Sequence, residues 1–231
     1  MENQFERTTA LIGEKAFALL QKANILVVGL GGVGGSAFEA LVRAGVGGIT
    51  AVDGDVFNAS NLNRQVLATY GALGKNKAEI AALRASQINS FCRVEAVSFF
   101  YNADTADRFD LASFDYIVDA IDSLPDKALL IKNAKAAKAS IISAMGTANR
   151  LEIDYEFCDV FQTSYCPLAK KLRGLLRKMG VKETQVLVSR AKTVNENALS
   201  PLPSISYAPA AAGLLLAQKV LLSLLDKAKQ E

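Results

Sequence analysis

The residues of this chain best suited to chemistry gather in its first half. Glycines at 29, 31, 32 and 34 form the run Gly29-Leu30-Gly31-Gly32-Val33-Gly34, directly behind the β-branched stretch 25–28. Glycine there permits a tight turn and lets backbone N–H groups approach a phosphate at the positive end of the following helix. Such a loop serves NAD, FAD and ATP alike. Asp53, at the end of the next apolar run, suits a ribose hydroxyl of any of them. The cations that follow discriminate. After Asp53-Gly54-Asp55 the chain continues through Ser60, Asn61, Arg64 and Gln65 to Lys77 at a helix start, which brings Arg64 and Lys77 to the phosphate loop. Hydride transfer has little use for that pair. A triphosphate needs it, because negative charge grows on the departing pyrophosphate. A second acidic cluster, Asp119-Ala120-Ile121-Asp122-Ser123, closes a later apolar run. Open parallel sheets bind ligands at the carboxyl ends of their strands, which puts Asp122 in the same crevice. A carboxylate beside a triphosphate suits magnesium, shared with phosphate and water oxygens. Asp119 reads equally well as a turn cap.

The elements that position these residues follow from periodicity. A strand over 25–28, a helix over 32–44 stopped by Gly45, and a strand over 48–52 bracket the glycine loop. Residues 54–75 are polar and irregular, long for a plain connector. A helix over 76–89, strands over 93–98 and 115–119, a helix over 125–138 with proline near its start, and a strand over 140–144 complete the alternation. The class is α/β, a Rossmann-like, mainly parallel sheet with helices on both faces. Upstream, residues 2–22 read as one amphipathic helix anchored by Phe5, Leu11, Phe17 and Leu20. Beyond 145 the rhythm breaks into a strand over 150–157, a basic helix over 167–179, a strand over 184–189, a loop over 191–203 and an apolar helix over 208–225. That last tract approaches a membrane span in length, but Pro209 opens it and Gln218 and Lys219 interrupt it, so a buried helix is expected. The whole chain, 1–231, reads as a single domain, with a core over about 5–150 and an added strand/helix layer over 151–231.

Composition sets limits on the chemistry. Histidine is absent, which excludes an imidazole base, nucleophile or metal ligand within the chain. The three cysteines, Cys92, Cys158 and Cys166, are scattered and odd in number; they suit a reducing cytosol and cannot make a four-thiolate zinc site. The polar start carries no signal-peptide pattern, so a cytoplasmic protein without membrane attachment is expected. A net charge of +3 is mild. Its distribution is uneven: Lys170, Lys171, Arg173, Arg177, Lys178 and Lys182 follow one another with no acid between them. They read as a surface for nucleic-acid phosphates or as a solvated helix face.

Together, GLGGVGG at 29–35, VDGDVFNASNLNRQ at 52–65, GKNKAE at 74–79 and VDAIDS at 118–123 resemble the superfamily of ubiquitin-activating-type adenylating enzymes, which includes ThiF and MoeB. The resemblance covers roughly residues 5–150. It implies that Asp53, Asn61, Arg64 and Lys77 contact ATP and that Asp122 helps to bind Mg2+. Asp55 and Ser60, within the same motif, join Gly29, Gly31, Gly32 and Gly34 as nucleotide-binding candidates. It further implies a homodimer in which Arg7 of one subunit reaches the phosphates held by the other.

The carboxyl-terminal part selects a branch. ThiF and MoeB carry two Cys-x-x-Cys pairs for zinc, and this sequence has none. Instead, CPLAKKLRGLLRK at 166–178, NSFCRV at 89–94 and ERTTALIG at 6–13 resemble the tRNA threonylcarbamoyladenosine dehydratases of the TcdA/CsdL type. The aspartate that precedes the proline in that branch is Cys166 here. The resemblance implies ATP-dependent adenylation of the threonylcarbamoyladenosine carboxylate beside the tRNA anticodon, then closure to the cyclic form. Neither an enzyme nucleophile nor a histidine is required. The alternative keeps adenylation but directs it at the C-terminus of a ubiquitin-like sulfur-carrier protein, and a sulfur-transfer protein is a candidate partner. A nicotinamide oxidoreductase is disfavoured by the absence of histidine and of a Tyr-x-x-x-Lys pair.

Overall fold

The computed structural model describes residues 4–164, 166–195 and 200–228. Seven strands form one sheet: β1 (Asn24–Val28), β2 (Gly48–Val52), β3 (Arg93–Val97), β4 (Tyr116–Asp119), β5 (Ile141–Ala144), β6 (Tyr155–Asp159) and β7 (Gln185–Ser189). Their order is β3-β2-β1-β4-β5-β7-β6. Every neighbouring pair is parallel except β6 with β7. The central strands are buried on both faces, which is why they read as continuous apolar runs.

Alternate residues of β1 enter two separate cores. Ile25 and Val27 join the first, with Phe38, Leu41 and Leu216; Leu26 and Val28 join the second, with Ile131 and Leu172. Helices therefore cover both faces. The first core is closed by α2 (Glu14–Leu20), α3 (Gly32–Ala44), α4 (Lys77–Ile88) and α7 (Tyr207–Ala228), and the second by α5 (Leu124–Ala136) and α6 (Pro167–Lys178). Gly45, at φ 93°, ends α3 in the left-handed conformation, and the Asn76 side chain caps α4 by accepting from the Ala78 and Glu79 N–H groups.

Two elements depart from the sequence reading. The amino-terminal stretch is not one helix. Gly13, at φ 87°, breaks it into α1 (Glu6–Ile12) and α2. The break leaves Leu11 86% exposed, whereas the Phe5 and Phe17 rings meet at a tilt with centroids 5.1 Å apart and Leu20 is buried. The strand expected over 150–157 begins only at Tyr155, because its partner β7 ends at Ser189, opposite Tyr155. Helix α7 is the one described helix long and apolar enough to cross a membrane, and 44% of that window is buried within the protein. It packs chiefly on α3, so closely that a Cβ at Gly213 would stand 2.3 Å from the Val33 carbonyl oxygen. This packing brings the start of α7 to the glycine loop.

Candidate active site

The chain leaves β1 toward β2 and β3 and returns to β4 on the other side, so a crevice opens at the carboxyl ends of β1 and β4. Two backbone turns meet there. Gly29, at φ 88°, would place a Cβ 2.6 Å from the Ala120 carbonyl oxygen, and a Cβ at Gly34 would stand 1.8 Å from the Gly29 oxygen. Glycine at these positions lets the loop after β1, the start of α3 and the turn after β4 interlock. Around them lies a cleft of about 600 Å³, with Gly29, Gly31, Gly32, Asp53, Asp55, Arg64, Lys77 and Asp122 in its walls.

Asp53 is buried and ties two loops together: one carboxylate oxygen accepts from the Leu30 N–H at 2.7 Å, the other from the Asp55 N–H at 2.8 Å. Burial pushes its carboxyl upward, against the pull of the Lys77 charge and those two N–H groups. Lys77 is buried at the start of α4 and pairs with the exposed carboxylate of Asp55 at 3.1 Å. That exposed partner is one a phosphate can replace. Arg64 is half-buried and donates to the Ser60 carbonyl at 2.7 Å and to Asn63 Oδ1 at 2.9 Å. Asp122 is exposed in the cleft wall and makes no hydrogen bond or ion pair among the described residues.

Other expected site residues stand one step back. Gly34 is a packing residue, outside the cleft wall. The Asn61 side chain is buried and accepts from the Asn58 N–H at 3.0 Å, while exposed Ser60 supplies the carbonyl that holds Arg64. These two shape the loop that presents Arg64. Asp119 is a turn cap: fully buried, it accepts from the Ile121 N–H at 3.0 Å and pairs with Lys127 at 2.8 Å. Arg7 is exposed on α1 and outside the cleft wall. The basic residues of α6 are also outside it. Lys170, Lys171, Arg177, Lys178 and Lys182 are exposed, and the Arg177 guanidinium lies 5.3 Å from the Phe161 ring centroid. Arg173 is half-buried and donates to the carbonyl and hydroxyl of Thr163.

Sequence reasoning missed several contributors. Gln65 is buried in the cleft wall, and its Oε1 has no hydrogen-bond partner among the described residues. Phe100, half exposed, packs against Gly54 and gives the cleft a flat apolar side; the aromatic run behind β3 was its only signal. Thr147, Ser204 and Pro209 come from segments far apart in sequence. Among the described residues no group of three or more acids or cysteines could hold a metal by itself. Asp122, a hard oxygen donor without a protein partner, does fit a magnesium ion shared with a phosphate chain.

Strand order and cleft together define one class, an α/β nucleotide-binding protein with its phosphate site at the topological switch point. The chain belongs to the ThiF family, whose sequence model matches residues 5–231. It is 34% identical to a tRNA threonylcarbamoyladenosine dehydratase of Bacillus subtilis (strain 168), over 97% of this chain and 96% of that one. A dehydratase of the same description from Escherichia coli (strain K12) is 39% identical over 75% of this chain and 65% of that protein. The crystal structure of the E. coli enzyme, TcdA, in complex with ATP superposes with a TM-score of 0.93 at 33% identity, covering 99% of this chain and 96% of the other.

Proposed function

We infer that this chain is an ATP-dependent tRNA threonylcarbamoyladenosine dehydratase, which adenylates the threonylcarbamoyl carboxylate and closes it to the cyclic form. The observation that carries this reading is the meeting of Arg64, Lys77 and Asp122 around the glycine loop, in a fold shared with an ATP-bound enzyme of that description. A free carboxylate is a poor electrophile. Its oxygen attacks the α-phosphorus of ATP, the bond to the bridging oxygen breaks, and pyrophosphate leaves. Arg64 and Lys77 stabilise the charge that develops on it. A urea atom of the same side chain then attacks the acyl carbon, its proton passes to solvent, and AMP departs with the original carboxylate oxygen. The balance is loss of one water from the nucleoside, with ATP converted to AMP and pyrophosphate. Asp122 would hold a magnesium ion, which when bound would neutralise part of the triphosphate charge.

Asp53 receives the ribose, and Phe100 offers a wall for the base. The exposed cations of α6 dock tRNA phosphates. The protein works as a cytoplasmic homodimer, with Arg7 reaching the partner's phosphates, and a sulfur-transfer protein is an accessory partner. No cysteine acts as nucleophile. Cys92 and Cys166 are buried, and burial pushes the Cys92 thiol up to about 11 and the Cys158 thiol upward. The test is exchange of labelled pyrophosphate into ATP. It should require tRNA carrying threonylcarbamoyladenosine and vanish with the same tRNA lacking that group. Exchange driven instead by a sulfur-carrier protein would move the chain to the alternative substrate.

A further inference from the structure

One buried charge has no part in the nucleotide site. Arg150 lies between β5 and β6, is 5% exposed, and its Nε has no hydrogen-bond partner among the described residues. Among the described residues, no carboxylate stands within ion-pair distance of its guanidinium. A guanidinium cannot shed its proton, and a buried, unpaired charge is costly unless an anion arrives from outside.

The loop that carries Arg150 is firmly held. Asn149, at φ 59°, donates its N–H to the Pro203 carbonyl at 2.8 Å and accepts from the Val194 N–H at 3.0 Å. Its side chain accepts from the Asn195 N–H and donates to the Asn195 carbonyl. Just before it, Thr147 and Ala148 form the β5 side of the cleft. Burial pushes the Tyr155 hydroxyl up to about 12, against the pull of the Arg150 charge, and that hydroxyl donates to the Ala208 carbonyl in the first turn of α7 at 2.8 Å. The next residue, Pro209, lines the cleft against Gly32. Arg150 is not itself in the cleft wall; its loop joins Thr147 and Ala148 of that wall to β6, whose first residue, Tyr155, bonds to the first turn of α7.

We propose that Arg150 binds the carboxylate that is to be adenylated, at a subsite on the β5 side of the cleft. This rests on the carboxylate-adenylating function inferred above. The task there is to bring one anion onto the α-phosphorus of another. A fixed guanidinium lowers their repulsion and orients the carboxylate through two parallel hydrogen bonds.

Arg150→Gln and Arg150→Lys, both checked for folding by thermal melting, test the assignment. Binding is compared for anticodon stem-loops with threonylcarbamoyladenosine and with plain adenosine, alongside ATP titration. Wild type should prefer the carboxylate-bearing RNA. Arg150→Gln should lose about tenfold or more on that RNA alone. It should keep its affinity for the plain RNA and for ATP, and Arg150→Lys should recover part of the preference. Equal losses on both RNAs would assign the anion to a tRNA phosphate, and a loss of ATP affinity would assign it to the nucleotide; either overturns the proposal. So does a preference that Arg150→Gln retains. An independent arm uses N-carbamoyl-L-threonine as probe. At millimolar concentration it should raise the melting temperature of wild type and not of Arg150→Gln, and an unresponsive wild type removes the subsite. If wild type binds the probe through Arg150 yet never turns over the RNA, the functional reading fails while the carboxylate subsite stands.

Discussion

Lys127→Met offers a sharp test of how the turn behind the glycine loop is held. Lys127 and Asp119 are both 0% exposed and meet at 2.8 Å. The substitution keeps the aliphatic volume and leaves a carboxylate buried without its cation. Breaking a buried pair from one side costs about 3–5 kcal/mol, a large share of the roughly 5–15 kcal/mol by which domains of this kind are stable. Functional consequences follow from the other oxygen of Asp119, which fixes the Ile121 N–H one residue before Asp122, and from Ala120, whose carbonyl packs on Gly29. Urea unfolding should therefore show a loss of about 3 kcal/mol or more, and the folded fraction should bind ATP more weakly. Asp119→Asn combined with Lys127→Met removes both charges and should recover most of the stability, since the larger cost is the orphaned charge rather than the missing attraction. A single variant destabilised by less than about 1 kcal/mol, or a double variant no better than the single, would refute this account of the turn.

Other outcomes are equally definite. Arg64→Ala and Asp122→Ala should each slow adenylate formation about a hundredfold or more, with melting temperatures near wild type; near-normal pyrophosphate exchange in either would remove that residue from the site. Because burial raises the Asp53 carboxyl above its ordinary value of 3.8, the folded state holds that proton more tightly than the unfolded chain. The stability of wild type relative to Asp53→Asn should accordingly fall as pH rises from below that value through the raised one, and a difference that grows with pH contradicts the shift. Charge reversal at Lys171 and Lys178, both exposed on α6, should weaken tRNA binding and leave ATP binding unchanged. Its salt dependence should flatten by about one unit of slope for each phosphate that is no longer neutralised, and an unaltered tRNA affinity would leave α6 a structural role only. Cyclisation should survive simultaneous replacement of Cys92, Cys158 and Cys166 by alanine in folded protein; a variant that forms adenylate but no product would point to a thioester.

Legibility in the sequence followed the range over which each signal acts. The glycine loop, the strand ending at Asp53 and the Gly45 stop are local devices, and α3 occupies the stretch 32–44 as read. Asp122 was legible because strand ends in a parallel sheet converge on one edge, and Arg64 and Lys77 because they are the cations of the loop and helix start that follow β2. Gly13 misled, since a glycine inside an amphipathic pattern is compatible with continuation until its positive φ is seen. Long-range partners were invisible. Nothing local says that Asp119 meets Lys127, that Arg173 is tied to Thr163, or that Pro209 closes on Gly32. The same applies to Arg150, whose significance lies in the absence of a partner among the described residues once the chain is folded.

The central claim is most directly tested by mass spectrometry of nucleosides from tRNA incubated with the protein, ATP and magnesium. The account predicts that threonylcarbamoyladenosine is converted to a species lighter by one water, only when ATP is present, with AMP and pyrophosphate formed in equal amounts. Unaltered threonylcarbamoyladenosine after complete reaction conditions, from protein that binds both ATP and tRNA, would contradict it.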